Sequence, residues 1–383
     1  MRRRSRHTIR WGGGRARGAR LATLAAAAGT LAGCSSGDVP TGPGDPPIAS
    51  VLALHSVGQT LQRYDVGERL AVGGTVDLGP LFDGNGMDAL GSIAVTTESD
   101  FGGDRVWIVD LEAGTTTGVG FAEQGVNPSR PVLVPSRSSA FVAGRGSNAI
   151  YEIPLGVPDS PPDVLARDAG EFVEKVLAAD GRLFAIDSNI DDAGGTYEPL
   201  GPSRVVVFEL DGREVADLEL PAGFQAIDAV RSGGLVVVLN AGTLTPAFAP
   251  EGNGSLAVID PTTLEVSGPF LLGGNGVSLE DGADGYVYAS VTSDFVNLRT
   301  LRFDPASEAF LNGPSDPVAT RDASGSPVAC WVTTALADGR LLCATFRFEE
   351  SGAIFLLQAD GAFIDRVQGG FGTTDLEIEA PRG

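Results

Sequence analysis

Beyond about residue 49, short apolar or alternating runs recur between clusters of Gly, Asp and Pro, and no segment sustains a helical period. Period-two alternation punctuated by turn formers predicts strands that bury one face or both. One phrase of this pattern returns seven times, as residues 61–65 (LQRYD), 107–110 (WIVD), 150–153 (IYEI), 206–209 (VVFE), 257–260 (AVID), 301–304 (LRFD) and 354–357 (IFLL). Successive starts lie between 43 and 56 residues apart. Another apolar strand precedes the phrase at 140–143, 183–186, 235–239, 286–290 and 341–344.

A repeat of about 40 to 50 residues with several short strands per repeat matches the blade of a propeller, with loop insertions accounting for the longer spacings. The expectation is an all-β chain forming a seven-bladed β-propeller of four-stranded antiparallel blades. A solenoid of the same period is the alternative. Three strands are expected near 51–55, 59–65 and 69–78, while residues 374–379 (TDLEIE) read as a final strand with Leu376 and Ile378 alternating with acids. Pairing the two ends closes the ring with a composite N-/C-terminal blade and conceals strand edges that would otherwise template aggregation.

The segment before the strands has another character. Eight arginines (Arg2, Arg3, Arg4, Arg6, Arg10, Arg15, Arg17, Arg20) precede an apolar run at 21–31 that is shorter than the roughly 20 residues of a membrane span. The run ends in Leu31-Ala32-Gly33-Cys34, which resembles the lipobox of bacterial lipoproteins. The resemblance implies a signal peptide over 1–33, a lipidated Cys34, a flexible Gly/Pro/Ser linker within 34–49, and the propeller over 50–383. It also implies export and a lipid anchor in the cell-envelope membrane, periplasmic or outer-membrane associated, with the lipid as the sole membrane contact.

Charge narrows the partners. The whole chain carries 27 Lys+Arg against 49 Asp+Glu; without the leader arginines the balance is 19 against 49, a net charge of −30. Nucleic acid is excluded as a partner, since phosphate binding needs a cationic surface. A monomer is expected. The single lysine, Lys175, carries no functional signal in the sequence.

Two cysteines remain beyond Cys34. Cys330 and Cys343 flank a hairpin-like ADGR at 337–340, and in an exported chain they read either as a disulfide or as two buried thiols. A two-residue turn at Asp338-Gly339 would set Cys343 opposite Thr334 and leave Cys330 out of reach, so a disulfide needs a bulge or a longer turn. His55 is the one histidine after the leader and alternates with Leu52 and Leu54 as a structural residue would. Multi-histidine metal sites are excluded, as is any Ser-His-Asp triad that does not use His55.

Residues 141–153 (FVAGRGSNAIYEI) resemble the repeat of YVTN β-propellers, and 256–263 (LAVIDPTT) resemble its following strand and turn. The likeness implies radial sheets around a central channel, a frame that hosts enzymes, scaffolds and binders alike.

If the repeated phrase is the third strand of each blade, the loops at 188–203, 240–254, 98–104, 292–297 and 346–352 all join strands two and three and emerge on one face. They carry Tyr197, Phe248, Phe295 and Phe346, a candidate binding rim. Residues 187–198 place Asp187, Asn189, Asp191 and Glu198 at positions one, three, five and twelve, the spacing of an EF-hand calcium loop. Asp192 stands where that motif has glycine, so the segment reads as a calcium site or as a solvated acidic turn. The expected function is a lipid-anchored, non-enzymatic propeller binding a protein or small ligand through its rim, with calcium as the one candidate cofactor and no catalytic residues assigned. The alternatives are a metal-dependent, lactonase-like hydrolase in the channel and an envelope-assembly scaffold.

Overall fold

The computed structural model describes residues 49–79, 84–98, 104–157, 160–191, 198–347 and 349–379. Its strands form seven four-stranded antiparallel sheets plus one two-stranded ribbon. Six blades are contiguous in sequence: blade 1 over 84–120, blade 2 over 128–167, blade 3 over 173–219, blade 4 over 226–271, blade 5 over 275–312 and blade 6 over 332–368. Blade 7 is composite. Its innermost strand is the C-terminal Thr373–Glu379, followed outward by Ala49–His55, Thr60–Val66 and Leu70–Asp77. All seven repeated phrases fall on third strands.

The hydrophobic clusters show why each blade needs its neighbours. Each of seven main clusters joins two adjacent blades. Val132, Phe141 and Ile150 of blade 2 pack on Val176, Leu183 and Phe208 of blade 3, and Phe184 and Val207 on the opposite face of blade 3 pack on Val236 and Val238 of blade 4. Middle strands are thus buried on both faces, which explains continuous apolar runs such as Leu235–Asn240 (LVVVLN) in place of alternation.

Blade 7 meets blade 6 through Val51, Tyr64 and Leu376, and blade 1 through Leu52, Leu54 and Leu61. The ring is closed. Seven residue pairs hold the first strand to the second within blade 7, and six hold it to the C-terminal strand. Arg63 clamps Glu379 with two hydrogen bonds, at 2.9 and 2.6 Å, across the strand between them.

The hairpin of blade 6 departs from the two-residue expectation. Leu336 pairs with Arg340, so the turn is Ala337-Asp338-Gly339, with Gly339 in the left-handed region at φ +82°. Cys343 therefore lies opposite Thr333 and not Thr334. Cys330 and Cys343 are joined by a disulfide with their Cα atoms 5.3 Å apart. It fixes the point at which the long connection after blade 5 re-enters the ring.

Candidate functional site

The innermost strands are Gly84–Leu90, Pro128–Val134, Val173–Ala179, Ala226–Ser232, Asn275–Asp281, Val332–Ala335 and Thr373–Glu379. All but that of blade 6 carry a register shift against their neighbour, with one extra residue on the inner strand. A bulge re-aims the side chains that follow it. In blades 3, 4, 5 and 7 the residue after the bulge is Lys175, Asp228, Ser278 and Asp375, and each lines a cavity of about 270 Å³ on the ring axis. Two positions further on, Glu280 and Glu377 line it too.

The charges here are unevenly paired. Asp228 of blade 4, almost fully buried, takes Lys175 Nζ of blade 3 at 2.9 Å on Oδ1 and the Arg130 guanidinium of blade 2 on Oδ2. The Ala229 amide also donates to Oδ1, at 2.8 Å. Burial by itself would push the Asp228 carboxyl up, but Arg130 and Lys175 together hold it below its ordinary range. Burial likewise opposes the charge on Lys175, and Asp228 outweighs it, leaving the ammonium firmly protonated.

The other carboxylates follow the opposite rule. Burial pushes Asp88 up to about 6, against the Leu133 amide at 2.6 Å and the charge of Lys175. Asp375 rises through burial despite accepting the Met87 amide at 2.8 Å, and Asp281 rises through burial as well. Glu280 and Glu377 go furthest. Burial is the main cause, then repulsion from Asp375 and Asp228 on Glu280, and from Asp88 and Asp375 on Glu377.

The rim lies on the face where strands two and three connect. Phe248 and Phe295, on adjacent blades, are 68% and 49% exposed, and Val296 is 74% exposed. Both phenylalanines occupy the left-handed region, at φ 58° and 60°. Hydrogen bonds hold them there, from the Phe248 amide to the Thr245 carbonyl and from the Phe295 amide to Thr292 Oγ1, each 2.8 Å. Phe346 is half-buried and packs on Trp331, ring centroids 4.9 Å apart. Trp331 in turn lines the channel cavity. Tyr197 lies outside the described residues, as do Cys34, the leader and the linker up to residue 48.

The calcium-spaced residues occupy separate roles. Asp187 is fully buried at the end of a second strand. Its Oδ1 accepts the amides of Glu171, Phe172 and Asn189 at 3.2, 2.9 and 2.9 Å, and its Oδ2 takes Arg204 Nη2 at 2.9 Å. Asn189 turns its amide nitrogen to the Pro202 carbonyl at 2.8 Å. Asp191 and Glu198 face each other across the two-stranded ribbon, and residues 192–197 lie outside the described residues. Among the described residues no group of three or more His, Cys, Asp or Glu is placed to hold a metal ion.

His55 belongs to the closing blade. Its Nδ1 pairs with Thr373 Oγ1 at 2.9 Å, and its Nε2 meets the Tyr64 hydroxyl at 3.2 Å and the Gly370 amide at 3.3 Å. Burial lowers its pKa to about 4, so the ring is neutral at physiological pH.

Sequence reasoning missed the channel and read the solitary Lys175 as carrying no functional signal. The chain's one lysine lines the cavity and pairs with the buried Asp228.

No family model matches this chain, and no curated protein matches it. Solved structures do. A 6-phosphogluconolactonase candidate from Bacteroides fragilis superposes with a TM-score of 0.59 at 13% identity, covering 87% of this chain and 98% of that one. A second such candidate, from Bacteroides uniformis, gives 0.57 at 11% identity over 86% and 99%. Virginiamycin B lyase from Staphylococcus aureus gives 0.54 at 10% identity over 75% and 84%. At these identities the likeness establishes the fold alone.

Proposed function

We infer that this chain is an exported, lipid-anchored, non-enzymatic binding propeller that holds a protein or small ligand against the face bearing its strand two to three loops. The observation that carries this reading is the exposure of Phe248, Phe295 and Val296 on adjacent blades, the two phenylalanines held by hydrogen bonds in a backbone conformation uncommon for bulky residues. Loops of a rigid scaffold that hold apolar side chains out of water are characteristic of contact surfaces. The lipobox-like residues ending at Cys34 and the disulfide between Cys330 and Cys343 both suit an oxidising compartment.

The hydrolase reading draws on the fold shared with lactonase candidates and on the carboxylates around the axis. Those carboxylates include no three-residue metal group among the described residues, so binding is the better-supported function. The test uses the tagged full chain, cross-linked in its own envelope and compared with Phe248→Ser/Phe295→Ser. Loss of the cross-linked species in a folded double variant is expected. Identical cross-linking would overturn the rim, and lactone turnover by the purified chain would replace binding with hydrolysis.

A further inference from the structure

We propose that the axial cavity is a binding site for a small organic cation, a primary amine or guanidinium on a short alkyl chain, held by Glu280 and Glu377 and walled on one side by Trp331. The site does not depend on the rim: it can be filled whether or not the rim holds a partner.

Unequal pairing is the first ground. Six carboxylates line the cavity against three cations, of which Arg231 is exposed and the two enclosed ones, Arg130 and Lys175, both pair with Asp228. Glu280 and Glu377, from opposite sides of blade 6, carry no hydrogen bond or ion pair among the described residues. Both side chains are half-buried and line the cavity, so each carboxyl group is open to a ligand that enters it. A cation there gives each ionised carboxylate a charge-assisted hydrogen bond, the stronger kind.

The chemistry of the walls selects among ligands. An anion would face five carboxylates besides Asp228. A bare metal ion would find no three-residue ligand group among the described residues. Trp331, whose ring packs on Phe346, is the aromatic residue among those lining the cavity, and the indole is the ring that best attracts an ammonium or guanidinium. The volume, about 270 Å³, lies below the roughly 300–1,000 Å³ of drug-sized pockets and suits a small molecule. The surrounding excess of acid also concentrates cations at the mouth.

Binding should exchange protons for the ligand. The groups facing the cavity are Asp88 from blade 1, Arg130 from blade 2, Lys175 from blade 3, and Asp228 and Arg231 from blade 4. Blade 5 adds Glu280 and Asp281, blade 7 adds Asp375 and Glu377, and blade 6 contributes Trp331 with no titratable group. Arg130, Lys175 and Asp228 keep their charge, whereas Asp88, Asp281, Asp375, Glu280 and Glu377 all have raised pKa values. Ligand entry therefore releases protons, and affinity rises with pH.

The experiment titrates the full chain with 1,4-diaminobutane, butylamine, 1,4-butanediol and butyrate at pH 5 and 7.5, by calorimetry in buffers of different ionisation enthalpy. Both amines should bind, about tenfold or more tightly at the higher pH, with buffer-dependent heats that report proton release. The diol and butyrate should give no binding heat. Glu280→Gln/Glu377→Gln should weaken amine binding by about tenfold or more, while the exposed pair Glu214→Gln/Glu219→Gln, on the outer strand of blade 3, leaves it unchanged. Equal binding of amine and diol in the parent, preference for butyrate, or equal loss in the surface variant would each overturn the proposal. The parent comparison needs no variant, so it decides even if the channel variant fails to fold.

Discussion

The channel and the rim are built from the same blades by opposite means. The rim is local: Phe295 is positioned by Thr292, three residues away, and Phe248 by Thr245 at the same distance. The channel is assembled from residues between Gly86 and Glu377, with at most a few from any blade. In the rim, backbone turns fix each aromatic independently of the others. In the channel, charges act across blades: against burial, two cations from two other blades hold Asp228 down, while burial and then acids from blades 1, 7 and 5 push Glu377 up. A substitution in the rim should change binding with little change in stability, and one in the channel should change both.

The largest expected effect removes one channel wall. Ending the chain at Gly372 deletes the inner strand of blade 7, and with it Leu376, Asp375, Glu377 and the Glu379 partner of Arg63. The truncated chain should lose its cooperative thermal transition, followed by circular dichroism, and aggregate through the exposed edges. An unchanged melt would show that the channel wall is dispensable.

Next comes Asp228→Ala. It leaves Arg130 and Lys175 enclosed together without a counter-charge, a change that costs about 3–5 kcal/mol. Lys175→Met should cost less, since Arg130 still pairs with Asp228. Urea titration of both variants orders them, and the reverse order would break the account of which charge organises the channel.

A smaller effect is the pH slope. A carboxyl whose folded pKa is raised binds more protons in the folded state, so its contribution is complete below the ordinary carboxylate range and is lost as pH rises through the folded value. For Asp88 that window runs from 3.8 to about 6, and for Glu280 and Glu377 it runs upward from 4.5. His55 acts in the other sense, contributing above 6.5 and losing that contribution as pH falls toward about 4. Glu280→Gln/Glu377→Gln should therefore be more stable than the parent at pH 8, with the gap narrowing by pH 5 in urea titrations. A gap that widens on acidification would contradict the channel's electrostatics.

The smallest effect is in the rim. Phe248→Ser with Phe295→Ser should shift unfolding by less than about 0.5 kcal/mol per site, because neither ring is packed away from water. A large loss of stability would mean that the rim is structural and would erase the contrast with the channel.

Much of this architecture was legible beforehand because it is written in local pattern. Apolar runs such as LVVVL, turn residues such as Asp338-Gly339 and a spacing near 50 residues specify strands, their connections and their number. The alternation of Leu376 and Ile378 with acids placed the last strand in a blade whose other three strands lie some 300 residues away. That the loops bearing Phe248, Phe295 and Phe346 join second and third strands was legible for the same reason, whereas the packing of Phe346 on Trp331 was not. At 187–198 the sequence displays the spacing of Asp187, Asn189, Asp191 and Glu198 but not the partners of Asp187, namely Arg204 and three backbone amides, which burial in the fold sets.

The sequence by itself determined the strands, the sevenfold repeat, the composite closure and the loops that carry the rim, since each depends on residues near one another or on a period. Tertiary structure alone decided the channel. Single-residue bulges on six inner strands choose which side chains face the axis, and ring closure then brings Lys175, Asp228, Glu280 and Glu377 to one cavity. No local period marks those positions, because what selects them is a distance across the ring, and electrostatic interaction depends on that distance and on burial rather than on separation along the chain.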